Sequence, residues 1–540
     1  MNATALGFTD SRGCKDWLAA LPLTNIPQAQ SMVLEQMQAL NEAGLAAIDR
    51  LKCLELLRDK IAFLQGEQRS RYHGKTIPLS PNDANAWTTG AALLDELEKG
   101  YRKCLAEARS GGDAASHEAL IAQRLMRYIG AQMLFHALVY RRFDPALWTR
   151  LHDLYGEAEK GGIAATAVRD SLEGEGGNSS VAETYTQVVL LQAAFLSEMT
   201  APQVDFAEAL LKLWSRKVQL LTAPPAGDAR RLDALVIDPA KPIGARPQPR
   251  PDLVAGQRIV ETAELSKSMR RRIQGLQGGE DVATLGLPPM AASIDPLLEL
   301  KRLHKLWCEG APPRPAPKPS QTEKAGVVFG VNDIHFFVSG GKVFEQPDKK
   351  QRELSQQEQK DIEVFGRVRE QTLINMAAQA HASTQTRGAG AMPTVTVEGW
   401  PVVDELLGAI RVQRPATSSK GIAIGRLVAI RMGDATPFFL GWITELVQET
   451  DGRLIATLSI FPGKPEAISV RAAVSGARAS AQWTQGLRLP ANEKIKVPVT
   501  LVLPSGIGHR GRGVEVHGAK EATVEEILEH GTDFDRVTTF

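Results

Sequence analysis

Four cysteines in 540 residues are too few and too scattered for a disulfide framework. Cys14, Cys53, Cys104 and Cys308 form no C-x-x-C pair and have no histidine at ligand spacing, so isolated buried thiols are expected. The chain also lacks any run approaching the roughly 20 apolar residues that cross a bilayer, and no membrane span is expected. Its opening, MNATALGFTDSRGCKDW, has no basic start followed by an apolar stretch, so it does not read as a signal peptide. With reduced thiols, this makes the cytoplasm the expected compartment. An excess of one charge is missing too. Lys plus Arg is 63 against 62 for Asp plus Glu, a net +1 that exerts no general pull on nucleic acid or anionic lipid. Nucleic acid is therefore not an expected partner.

Enzyme signatures are equally scarce. HGKT (73–76) ends like a P-loop, but Arg69 stands where the first glycine of the phosphate cradle is required. RGAGAMP does not complete G-x-G-x-x-G, and neither G-x-S-x-G nor H-E-x-x-H occurs. The ten histidines lie apart, and His335 reads as a strand residue with a hydrogen-bonded or exposed ring. No catalytic residue, metal ligand or cofactor is assigned, and the expectation is a non-enzymatic protein. The basic run Lys267, Arg270, Arg271 and Arg272 suits a solvated helix face or a grip on phosphates; no aromatic side chain interleaves with it.

What is present is an ordinary globular composition, 43% hydrophobic and 23% charged, in a chain long enough for several cores. Residues 1–225 carry a helical period and predict a helical bundle. Met32, Leu34, Met37, Leu40, Leu45, Ile48, Leu51 and Leu54 recur near three-to-four spacing as one stripe. Ser80, Pro81 and Asp83 mark a helix start by cap, fixed φ and dipole. Further helices are predicted near 114–142, 144–160, 180–200 and 203–222. Residues 226–309 read as a connector with short helices, and 310–322 as a Pro-rich linker. Residues 323–390 read as a mixed strand and helix segment, with Ser355 and Glu358 in capping-box spacing.

From 391 to 508 the period becomes two. In IKVPVTLVL, residues Ile495, Val497, Val499, Leu501 and Leu503 share one predicted face, and Asp451-Gly452 predicts a hairpin turn. A small antiparallel β-barrel follows from short strands and frequent turns. The tail, 509–540, carries a short predicted helix capped by Thr523 and Glu526. The fold class is thus multidomain α plus β: helical bundle, mixed middle domain, C-terminal barrel.

One stretch, GWPVVDELLGAIRV (399–412), reads strand, break, strand. Asp404 and Gly408 fit plain hairpin chemistry or an altered nucleotide site. The order WPVVDELLGAIRVQRP, KGIAIGRLVAIRMGD and PFFLGWITELVQETDGRLIATLSIFPGKPEAISVRA, over roughly 394–475, resembles the PilZ family, bacterial domains that bind cyclic di-GMP. That resemblance implies a PilZ-like barrel and two ligand elements, an R-x-x-x-R pair before the barrel and a [DN]-x-S-x-x-G motif on it. Here Asp404 matches the acid, Leu406 replaces the serine and Gly408 arrives one residue early. In the arm directly before the barrel no R-x-x-x-R occurs; Arg367 and Arg369 lie two apart and Arg387 stands alone. The resemblance implies ligand contacts from Arg387, Asp404, Gly408, Arg411 and Arg414, with cyclic di-GMP as ligand rather than cofactor. It further implies a signalling effector or adaptor that meets a protein partner through its helical domain. The alternative is a nucleotide-independent interaction scaffold.

Overall fold

The computed structural model describes residues 6–173, 177–223, 233–249, 253–310, 316–347, 397–418, 420–433, 437–473 and 482–540. The chain divides into two compact units. One is Met1–Arg314 with Gly421–Ala423 and Val447–Arg453; the other is Pro315–Lys420, Ile424–Leu446 and Leu454–Phe540.

The first unit is mainly helical: α1 (Ser11–Ala19), α2 (Ile26–Glu42), α3 (Ala47–Gln68), α4 (Pro81–Arg109), α5 (Glu118–Ala137) and α6 (Ala146–Lys160). A two-residue ladder, β1 (Val168–Arg169) with β2 (Asn178–Ser179), precedes α7 (Val181–Ala193) and α8 (Ala201–Trp214). The predicted start of α4 forms as expected: the Ser80 hydroxyl accepts from the Asp83 amide and Pro81 holds the first turn. The predicted single stripe over 32–54 is instead two. α2 buries Ala29, Val33, Met37 and Leu40, while α3 buries Ala47, Leu51, Leu54 and Ile61. Met32, Leu34, Leu45 and Ile48 are only half-buried. The break between Glu42 and Ala47 resets the helical phase, which a continuous count along the sequence cannot register.

Asp170, just past β1, is fully buried and gathers positive charge from two helices. Its carboxylate pairs with Arg58 from α3 and with Arg124 and Arg127 from α5, and accepts from Gln123. Burial alone would raise its pKa; the guanidiniums of Arg127, Arg58 and Arg124 outweigh that and hold it well below the usual carboxylate range.

The stretch expected to be a connector also holds a sheet. It contains β3 (Gln219–Leu221), β4 (Asp233–Ile237), β5 (Arg246–Pro249) and β6 (Arg258–Glu261), in the order β3-β6-β4-β5, followed by α9 (Ala263–Gln277) and α10 (Pro296–His304). Within the sheet the prolines, Pro247 and Pro249, sit on β5, an edge strand, where such residues are tolerated.

The second unit is two closed six-stranded antiparallel barrels. The first comprises β7 (Lys324–Phe329), β8 (Glu398–Leu406), β9 (Ala409–Gln413), β10 (Leu427–Met432), β11 (Phe439–Gln448) and β12 (Leu454–Ile460), ordered β10-β11-β12-β9-β8-β7. The helix α11 (Val331–Val338) follows β7. The second comprises β13 (Glu466–Ala472), β14 (Thr484–Leu489), β15 (Thr500–Pro504), β16 (Gly513–Val516), β17 (Ala522–His530) and β18 (Phe534–Thr539), ordered β13-β14-β15-β18-β17-β16. Closure leaves neither cylinder with an unpaired edge. One core cluster joins Val328, Leu427 and Leu440 of the first barrel to Leu487, Val502 and Phe534 of the second. The opposite face of β15 puts Leu501 and Leu503 among Val470, Val514 and Val537.

Three element expectations are corrected. Residues 509–540 hold strands β16 to β18 rather than a helical tail; Thr523 and Glu526 lie on β17, whose ladder with β18 and buried Val524 override the local helix signal. His335 lies in α11, not in a strand, because Val331, Ile334, Phe337 and Val338 pack one helical stripe onto the barrel core. In IKVPVTLVL only the second half is strand: Lys496 has φ +55° and Pro498 offers no amide, leaving Ile495 and Val499 exposed. The predicted helix opening at Ser355 lies outside the described residues. Among those described, no helix is long and apolar enough to cross a membrane.

Candidate ligand-binding site

The β8–β9 hairpin is built on a two-residue turn. Leu406 faces Ala409, Glu405 faces Ile410 and Asp404 faces Arg411. The break predicted over 404–408 is therefore narrower, confined to Leu407 and Gly408. Gly408 has φ +74°, a left-handed backbone that glycine adopts without strain. Its carbonyl accepts from the Ile460 amide (2.9 Å), tying the turn to the end of β12. Leu407 projects into solvent, 92% exposed. At Leu406, where the family motif has serine, the chain is still strand.

Because Ile410 and Val412 are buried in the barrel, Arg411 between them points outward. It meets Asp404 in a two-pronged ion pair. The Arg411 Nε donates to Asp404 Oδ1 at 2.7 Å and Nη2 donates to Oδ2. A bulge between Val402 and Asp404 re-aims the strand at this point. On the other side of β9, Thr457 lies opposite Arg411, and its hydroxyl donates to Glu445 (2.8 Å). The hairpin thus presents a polar row, Asp404–Arg411–Thr457–Glu445, across four strands. The carboxylate of Asp404 and the planar guanidinium of Arg411 are groups of the kind that address a ring edge that both donates and accepts.

Arg414 follows β9 and does not join that row. Its guanidinium donates to the carbonyls of Lys420 (3.0 Å), Pro415 and Ser418, closing the loop after the hairpin. Burial draws its pKa below the ordinary guanidinium value. Arg367, Arg369 and Arg387 lie outside the described residues. The structure therefore brings Asp404, Gly408 and Arg411 onto one hairpin and places Arg414 at its base.

Reading the sequence missed the Asp404–Arg411 pairing. Counting outward from a Leu407–Gly408 turn places those two opposite each other, so the signal was present once the turn was narrowed. It also missed the edge contact from the Pro-rich linker: Lys318 and Glu405 exchange two backbone hydrogen bonds (2.8 and 2.9 Å), and Ser320 donates to the Glu405 carboxylate. Of the basic run in α9, Arg272 is structural. It lies over the Trp214 ring at 4.7 Å and donates to the Leu285 and Ser268 carbonyls. Lys267 pairs with Glu264, while Arg270 and Arg271 are exposed. Among the described residues no group of three or more His, Cys, Asp or Glu side chains is placed to hold a metal ion.

Comparison with known proteins adds to this geometry. No solved structure matches the chain. The family described as the cyclic-di-GMP receptor FimW, N-terminal domain, matches residues 12–226, which lie in the helical unit. The cyclic-di-GMP receptor FimW of Pseudomonas aeruginosa is 24% identical over 357 residues, covering 63% of this chain and 56% of that protein. The chain thus matches little more than half the length of this curated relative, whose name is that of a receptor.

Proposed function

We propose that this protein is a non-enzymatic signalling effector that binds cyclic di-GMP at the β8–β9 hairpin of a PilZ-like first barrel and a protein partner through its helical unit. The observation that carries the reading is the similarity, over 357 residues, to a protein whose name states that it is a cyclic-di-GMP receptor. The hairpin chemistry is compatible with it. Asp404 would accept from a guanine edge, Arg411 would turn its guanidinium to the same base or a phosphate, and Gly408 would let the backbone approach. Arg414 and Arg387 would supply further positive charge. A dianion must share Arg411 with Asp404, so the second cation carries much of the phosphate attraction.

Calorimetric titration of the whole chain with cyclic di-GMP tests this. Binding heat is expected, and Asp404→Ala, Arg411→Ala and Arg387→Ala should each weaken affinity by about tenfold or more, the equivalent of one charge-assisted hydrogen bond. Absence of heat rejects the ligand; full affinity in all three variants rejects the site.

A further inference from the structure

α2 and α4 pack together and bury Val33, Met37, Leu93 and Leu97, but near the start of both helices this apolar character gives out. A cleft of about 220 Å³ opens there, lined by Gln30 and Ser31 of α2, Gln68 at the end of α3, and Asn82, Asn85 and Thr89 of α4. The three α4 residues stand at i, i+3 and i+7, so one helix face carries two amides and a hydroxyl in a row. Only Pro27 and Ala86 add apolar wall.

Two of the lining carboxamides are buried, Gln30 at 2% and Gln68 at 5% exposure. Gln30 Nε2 reaches the Leu64 carbonyl at 3.5 Å, the far limit of a hydrogen bond. The Gln68 Oε1 is buried and has no hydrogen-bond partner. A buried acceptor left unpaired is costly, and native structures leave few of them. Leucine at this position would carry no such cost. Retaining an amide in the lining of a cleft is accounted for when a ligand supplies the missing partner.

Charge and ring content narrow the ligand. Arg71 is the one charged residue in the lining, and its Nε already donates to Asp83 Oδ1 at 3.0 Å. An anion would have to draw that guanidinium away from its carboxylate. None of the lining residues is aromatic, so a nucleobase would find no stacking face. From these observations we infer that the cleft is a binding site for one neutral hexose ring. Each sugar hydroxyl both donates and accepts, as does each carboxamide, while the Ser31 hydroxyl, which donates to the Pro27 carbonyl (3.1 Å), keeps lone pairs to accept with. A cavity of about 150 Å³ admits a benzene ring, so this one has room for a six-membered ring with its hydroxyls. All these residues lie in the helical unit, and none belongs to the hairpin.

Titration of the full chain with glucose, galactose and mannose, followed by NMR or calorimetry, tests the inference. At least one of the three is expected to bind, and cyclohexanol, a ring with a single hydroxyl, to bind far more weakly. Gln68→Leu should weaken the bound hexose about fivefold or more while its urea midpoint holds or rises, because an unpaired buried acceptor has been removed. Asn85→Ala, at an exposed position, should weaken it similarly and decides the matter by itself where Gln68→Leu does not fold. A natively folded wild-type chain that binds none of the three sugars overturns the inference and leaves the cleft to buried water only. Unchanged affinity in both variants, or cyclohexanol equal to the hexose, also overturns it. Glucose 6-phosphate binding more than tenfold tighter than glucose overturns it too, since the cleft would then be an anion site centred on Arg71. Lactose binding tighter than galactose would uphold the site and identify its ligand as the terminal sugar of a glycan; galactose equal to or tighter than lactose would uphold it with a free hexose.

Discussion

Asp170 shows how a single buried charge organises the helical unit. Three guanidiniums converge on one carboxylate that has no access to water. Replacing it with asparagine keeps the volume but leaves positive charge uncompensated in a low-dielectric interior. Breaking a buried pair in this way costs about 3–5 kcal/mol. Urea unfolding at neutral pH should therefore show a clearly lower midpoint for Asp170→Asn. The pH dependence has a definite sign. A carboxyl held below its unfolded value of about 3.9 contributes fully above that pH, and the contribution is lost as pH falls through it toward the folded value. Wild-type stability should drop between pH 5 and pH 3 more than that of Asp170→Asn; parallel drops would assign the acid sensitivity to other groups. Gly408 is a contrasting case. A Cβ there would meet nothing within 4 Å, so Gly408→Ala should cost only the left-handed backbone penalty, about 1 kcal/mol by the same assay.

At the scale of elements, local chemistry was legible and tertiary demand was not. The start of α4 could be read because Ser80, Pro81 and Asp83 act within one turn of each other. The hairpin could be read because an apolar alternation flanks a glycine, though its turn was drawn too wide. The pairing of Asp404 with Arg411 depends on register, which a turn one or two residues shorter changes completely. α11 departs from the strand expected at His335 because Val331, Ile334, Phe337 and Val338 carry a helical period and Asp333 sits in its first turn. β17 could not have been read locally: Glu525, Glu526 and Glu529 favour helix, and only pairing with β18, including Arg536 with Glu529, makes it strand. The difference at IKVPVTLVL is measurable. Leu503 is fully buried and Val499 is 38% exposed. Leu503→Ala should cost about 2–5 kcal/mol and Val499→Ala about 0.5 kcal/mol or less. Similar costs at both positions would restore the single shared face.

For the whole molecule, charge balance shapes how any anionic ligand is found. With 63 cationic against 62 anionic side chains, no global field concentrates a nucleotide at the surface, so affinity has to come from local forks and stacking. Two compact units allow a ligand at the hairpin to be located by where protection appears. Hydrogen exchange on the intact chain should show cyclic di-GMP slowing amides within 398–413, with no change across α6 and α7. A ligand stabilises the state it binds by about 2.7 kcal/mol at a hundredfold excess over Kd, enough to slow local opening roughly a hundredfold where that opening abolishes binding. Unchanged exchange within 398–413 at saturating cyclic di-GMP would leave the hairpin ion pair as a device for barrel register alone.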